Sequence, residues 1–412
     1  MAKGSTPLHR RLTPFVSLQY RDFRLLWIGQ LISMAGSQMQ QVAINWHVYL
    51  LTQSALALGL IGLVRFVPII VFSLLGGVFA DTHDRRRILL LTQSVMMLFA
   101  GILGLLTYCA WISVGLIYVL AALTSATMAF DAPARQALPP NLVPGEHLTN
   151  ALSLNNIMRQ TATIVGPGLA GFVIAWEGVT AVYWINALSF LAVLVGLLLM
   201  RTPTQQKQGG GRVTLSSLGE GIRFVRRSKI LFSTMLLDFV GTFFASASTL
   251  FPIFAHEILR VGPRGLGLLY SAQSVGAVIA GTGMSFIGDF QRKGRLILLA
   301  LALYGAATAV YGMSRWFVLS IFLLAVAGGA DTFSAILRNT LRQLITPDHL
   351  RGRMSAVNMV FARGGPQLGN MEAGLVAAWI GAPLSVITGG MATLIIVGVV
   401  TWLVPQLRNH QD

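Results

Sequence analysis

Charge is scarce in this chain. Asp, Glu, Lys and Arg make up 11% of its 412 residues, against roughly 25% in a soluble domain. A soluble fold of this length could not hide a sequence that is 54% hydrophobic, with a mean hydropathy of +0.69. Cysteine is scarcer still. Cys109 stands alone, which excludes an intramolecular disulfide and a cysteine metal cluster. Set in an apolar run, it reads as a small core residue. No phosphate loop, Ser/His/Asp arrangement or metal-ligand spacing is present. His9, His47, His83, His147, His256, His349 and His410 are scattered, and loops or helix ends are their default setting. Enzyme chemistry, a bound metal, a cofactor and ATP as energy source are therefore not expected.

What is present is apolar length. Runs close to the ~20 residues that cross a bilayer recur along the chain, and in lipid such runs must be helices. Helices are predicted at 24–50, 56–80, 88–110, 114–136, 153–176 and 179–200, then at 230–257, 264–288, 295–313, 316–338, 354–380 and 383–405. The first run, from Leu25, is too long for a signal-peptide core and lacks a small-residue cleavage site. The fold class is all-α membrane protein, with twelve transmembrane helices. The expected division is an N-terminal six-helix bundle (1–200), a cytoplasmic linker (201–229) and a C-terminal six-helix bundle (230–412). Leu215, Leu218, Ile222 and Val225 oppose Arg223, Arg226 and Arg227, so the linker carries an amphipathic surface helix.

The net charge of +16 comes from 30 basic and 14 acidic residues. Most of the basic residues fall in the N-terminal tail, alternate loops and the C-terminus. Arg260, Arg264 and Arg315 fall in the opposite loops, and Arg65, Arg159 and Arg363 lie within apolar helices. That asymmetry places both termini in the cytoplasm. It also matches anionic lipid; without a compact basic face carrying aromatics, nucleic acid is not a partner.

The halves align when slid by about 208 residues. Gly59 falls on Gly267, Asp81 on Asp289 and Arg87 on Arg295; Arg135-Gln136 meets Arg342-Gln343 at an offset of 207. Two pseudo-symmetric bundles with a site between them suit a secondary transporter. The loop after the second helix, Gly77-Val-Phe-Ala-Asp81-Thr-His-Asp-Arg85-Arg-Arg87, ends a helix on an acid beside a basic cluster. The fifth helix holds Ala162, Gly166-Pro167, Ala170 and Gly171, where proline bends the helix and small residues let neighbours approach.

These motifs resemble the major facilitator superfamily. Asp84 in the loop, the Phe130–Pro144 segment and Gln367-Leu-Gly-Asn-Met-Glu372-Ala-Gly look like the subgroup containing the enterobactin exporter and macrolide efflux proteins. The resemblance implies a latch between the halves at Asp81, Arg85 and, in the second half, Asp289. It also implies an exporter motif at Gly166, Pro167 and Gly171. Thr82 and Asp84 depart from the general loop signature. Proton-coupled export of an amphiphilic small molecule, such as a siderophore, macrolide or drug, follows as the expectation, in a bacterial inner membrane and as a monomer. The rivals are an importer or lipid flippase of the same fold, and a non-transporting receptor or assembly factor.

Intramembrane acids are costly, so they mark cavities or partners. Asp238, Asp331, Glu372 and Asp131 are the candidate proton carriers. Asp238 shares a helical face with Thr242, Ser246 and Thr249, near Phe243. Gln30 occupies its place in the first helix, followed by Ser37, Gln41 and Asn45. These two stripes are the expected cavity lining. Local pairs, Asp131 with Arg135 and Asp331 with Arg338, are the alternative reading. Arg65 and Glu372, on helices expected to be neighbours, are predicted to pair as a second latch.

Overall fold

The computed structural model describes residues 15–202, 223, 228–246, 248–287, 290 and 292–408. The first half contains α1 (Arg21–Thr52), α2 (Ala55–Thr82), α3 (Arg85–Tyr108) and α4 (Val114–Gln136). The helical stretch Leu148–Leu199 is broken at Gly178, whose φ of 79° is a left-handed conformation that glycine adopts without penalty. Its arms are α5 (148–177) and α6 (179–199). The second half contains α7 (Lys229–Phe244), α8 (Gly262–Ile287), α9 (Lys293–Met313), α10 (Phe317–Ile345), α11 (Asp348–Ile380) and α12 (Ala382–Leu403). No strand occurs among the described residues.

Local chemistry sets the ends. Ser54, Asp84, Ser113 and Ser228 cap α2, α3, α4 and α7 by accepting from backbone amides of the first turn, each worth about 1 kcal/mol. Gly381, at φ 87°, makes the tight turn between α11 and α12. The helices α10 and α11 run seven and six residues further toward the termini than their apolar runs predict. Their polar extensions need no lipid contact, and amphipathic helix continues past the hydrocarbon edge.

Odd-numbered helices start on the face that carries the termini, and even-numbered ones start on the far face. Trp111, Trp176, Trp316 and Trp379 are exposed where chains turn on the far face, as an interfacial aromatic belt requires. Eight helical segments qualify as membrane spans by length and hydropathy alone, one of them joining α5 and α6. The helices α1, α8 and α11 do not. These three lie between neighbours: α1 packs along α5 and α6, α8 along α5 and α10, and α11 along α2 and α7. Their polar side chains are thereby kept out of lipid.

Cys109 corrects one expectation. It caps the end of α3 and is exposed, because the apolar run continues past the helix end. His47 corrects another: it is buried and shares a 3.1 Å hydrogen bond with the Tyr183 hydroxyl. The predicted amphipathic linker helix lies almost wholly outside the described residues.

Candidate transport site

A cavity of about 650 Å³ lies against the first half, within the range of small-molecule sites. Gln30, Ser37 and Gln41 of α1 line it, as expected from their stripe, and Arg65, Arg135 and Arg159 also reach it. Gln367 of α11 contributes from the second half. Asn45, the last member of the α1 stripe, is diverted: its amide donates to the Tyr270 hydroxyl at 2.8 Å.

The α7 stripe does not line this cavity. Regular helix ends at Phe244, and a 3₁₀ turn and a π turn follow before Ile258, so helical spacing fails beyond Asp238 and Thr242. Thr242 donates to the Asp238 carbonyl and sits against Gly365. Phe243 stacks on Phe239, and Gly369 packs on its carbonyl. Ser246 donates to Asn370 Oδ1 at 2.9 Å. These polar groups bind α7 to α11 instead of facing a cargo.

Asp238 is likewise not an open cavity acid. Arg338 Nη2 donates to one carboxylate oxygen at 3.0 Å and Arg342 Nη2 to the other at 2.9 Å. Arg338 also lies 3.5 Å from Asp331. Both arginines are at most 1% exposed, and Arg338 Nε and Arg342 Nη1 have no hydrogen-bond partner among the described residues. The sequence pairing of Asp331 with Arg338 is present but is the longer of two contacts. Arg342 was not expected inside, because it stands in the polar extension of α10; its match to Arg135 across the repeat was the available signal. In the first half, Asp131 is fully buried and ion-paired to Arg135. Thr92 and Gln93 donate to its other oxygen at 3.1 and 2.7 Å.

Among the described residues, side-chain hydrogen bonds between the halves lie from the middle of the bilayer to the far face. Tyr49 donates to Glu257 at 2.5 Å and lies 3.4 Å from His256 Nδ1. Thr249 donates to the Leu58 carbonyl, and Ser271 to that of Ile164. The Gly166-Pro167-Gly171 segment explains itself sterically. A Cβ on Gly166 would strike Ala35 and Gln38 of α1, and one on Gly171 would strike Pro263 and Gly267 of α8. Gly267 is reciprocally blocked by Pro167 and Gly171. On the other side, Gly59 of α2 meets Gly374 of α11. Small residues thus set both close crossings between halves.

The predicted pairing of Arg65 with Glu372 is absent. Phe66 abuts Gly364 and Gly62 abuts Gln367, which sets Arg65 level with residues 364–367. Glu372 stands at least five residues further along α11, roughly 7 Å at 1.5 Å per residue. Glu372 has no ion pair or hydrogen bond among the described residues. Arg85 donates to the Ala137 carbonyl at 2.7 Å, so in this conformation it ties α3 to the end of α4 inside one half. The side chain of Asp81, all of Asp289 and the side chain of Arg363 lie outside the described set.

A helical membrane protein with paired close crossings, a polar cavity beside them and closure on one face is a transporter of the major facilitator fold. The family model for transmembrane secretion effectors matches residues 12–412, and the chain belongs to that family of the superfamily, which comprises transporters and not enzymes. It is 24% identical to macrolide efflux protein A of Streptococcus pyogenes over 94% of this chain and 96% of the relative. It is 26% identical to the multidrug efflux pump Tap of Mycolicibacterium fortuitum, covering 93% and 96%, and 25% identical to the enterobactin exporter EntS of Escherichia coli, covering 95% and 93%. Among solved structures, a bacterial homologue of the human lysosomal transporter Spinster has the same fold, with a TM-score of 0.75 at 14% identity over 98% of each chain. A bacterial homologue of ferroportin aligns with a TM-score of 0.69 at 16% identity, covering 95% and 99%.

Proposed function

We propose that this protein is a proton-coupled exporter of a small amphiphilic molecule, working by rocking 1–200 against 230–412. The observation that carries the reading is the cavity beside an interface whose hydrogen bonds lie from mid-membrane to the far face. It is the vestibule of one access state, open toward the termini, which the positive-inside pattern assigns to the cytoplasm of a bacterial inner membrane. Loading from the cytoplasm followed by opening of the far face is export, and the efflux proteins similar to this chain support that direction.

Proton coupling rests on Glu372. Of the five acids within the predicted spans, Asp131, Asp238 and Asp331 each face an arginine, and Glu257, at the far-face end of its span, accepts from Tyr49. Glu372, with no ion pair or hydrogen bond among the described residues, sits on α11 next to the α2 crossing, where a carboxyl must be neutral or solvated to be tolerated. Its protonation state is therefore free to follow the access state. The test is transport of a panel of aromatic amphiphiles in proteoliposomes under an imposed pH gradient. Gradient-driven movement is expected, with Glu372→Gln removing the dependence on the gradient while cargo binding persists. Movement that ignores the gradient in the parent protein would defeat proton coupling.

A further inference from the structure

We infer that the cavity selects cargo bearing an anionic group, held by Arg65 and Arg159. This deepens the transport reading and rests on it. Among the described residues, three arginines and no Asp or Glu line the cavity. Arg135 is neutralised by Asp131 in its own helix. Arg65 and Arg159 form no ion pair or hydrogen bond with any other described residue. Arg65 is half-buried at mid-helix in α2, and Arg159 is exposed toward the cavity from α5. Among the described residues the site thus holds two cations without a counter-charge between low-dielectric walls, an arrangement that focuses a positive potential.

The remaining polar lining agrees with this. Gln30, Gln38, Gln41 and Asn155 supply amide donors around the arginines, and guanidinium forks match carboxylate or phosphate oxygens in pairs. Met34, Met96 and Phe190 supply an apolar wall for the rest of an amphiphile. Closing such a cavity without a counter-anion would trap two charges away from water, which is strongly unfavourable. An anionic cargo removes that cost, so it would promote the access change itself. The group is a carboxylate, sulfonate, phosphate or ionised phenol; its source is a soluble amphiphile or an anionic lipid headgroup.

The experiment uses the full chain purified in an uncharged maltoside detergent. Three probes of one size, 1-naphthoate, 1-naphthylmethanol and 1-naphthylmethylammonium, are titrated for dissociation constants. Lysophosphatidylglycerol and lysophosphatidylcholine form a second arm. The expected order is anion tightest and cation weakest, with Arg65→Gln and Arg159→Gln each weakening naphthoate by about tenfold or more, the scale of a charge-assisted contact. Naphthylmethanol binding should fall by much less than naphthoate binding, and Arg65→Lys should keep part of the anion preference. Because Arg159 is exposed to the cavity, its variant is not expected to disturb folding. Tighter binding of naphthoate than of lysophosphatidylglycerol assigns a soluble cargo, and the reverse assigns a headgroup; both support anion selection. Equal affinity for all three naphthyl probes, or an anion preference that survives the Arg65→Gln/Arg159→Gln double variant, would overturn it. Failure of the transport reading looks different: binding would keep its charge order while no probe crossed the membrane.

Discussion

The two halves answer the same electrostatic problem in opposite ways. At the repeat offset of 207, Arg135 corresponds to Arg342, and Asp131 corresponds to Arg338. In the first half the acid sits one turn before the arginine, and the pair closes within α4, helped by Thr92 and Gln93 of α3. In the second half an arginine holds the acid's place, and the negative charge comes from Asp238 on α7 and Asp331 on α10. At the offset of 208, Ala300 and Leu301 stand where α3 has Thr92 and Gln93, so α9 has no side-chain donors to offer a carboxylate there. The consequence reaches the site. Because Asp131 is satisfied locally, Gln30 of α1 is left to line the cavity. Its counterpart Asp238 is tied to α10. One half is built to present polar groups, and the other to hold its helices together.

The largest expected effect follows from that difference. Asp238→Ala takes the ion pair from buried Arg342 and leaves Arg338 only its longer contact to Asp331, and breaking a buried ionic cluster costs about 3–5 kcal/mol. Asp131→Ala leaves Arg135, whose side chain is 20% exposed, beside the cavity, and should cost about 1–3 kcal/mol. Thermal midpoints of the two variants in detergent check this. An equal or greater loss at Asp131 would break the comparison. The next effect sharpens it by converting one half into the other. Asp238→Gln, Arg338→Asp and Asp331→Asn together place an acid before Arg342, as Asp131 precedes Arg135, and keep the cluster neutral. The triple variant should recover at least half of the stability lost in Asp238→Gln alone, and adding Leu301→Gln should recover more. A triple variant no better than the single one would show that position rather than charge balance decides.

The fold was legible because bilayer thickness and hydropathy act on every helix alike. The repeat could be read for the same reason: turn glycines and loop charges keep their spacing. One pair of neighbours across the interface, α2 with α11, also follows from the resemblance; the crossing of α5 with α8 at Gly171 and Gly267 is seen only in the fold. Side-chain pairing was much less legible. Glu372 and Arg65 are equally deep in the sequence, but helix register offsets them by more than a turn. The α7 stripe has helical spacing, but a π turn and a 3₁₀ turn interrupt the helix that the spacing assumes. Arg342 looked like a loop residue, because only the fold shows α10 continuing past its apolar run and setting Arg342 on Asp238 of α7. Such facts depend on which atoms meet across helices, and no single-helix pattern carries them.

The smallest predicted effect concerns a place where the halves are joined by side-chain hydrogen bonds. Tyr49 of the first half donates to Glu257 of the second at 2.5 Å, and Asn45 donates to Tyr270. Tyr49→Phe removes one charge-assisted bond without changing the packing of a ring that is fully buried. Such a bond is worth about 1.5–3 kcal/mol, so the ratio of far-face-open to far-face-closed protein should rise about tenfold or more. The reporter is a cysteine placed in the cavity, Gln41→Cys, in a Cys109→Ser background, since Cys109 is itself exposed. Labelling by a membrane-impermeant maleimide added at the far face should speed up by the same factor. If the rate stays that of the Tyr49 parent, the closed state is held by the Gly171–Gly267 and Gly59–Gly374 crossings, and the halves are sealed by backbone approach rather than by donor and acceptor side chains.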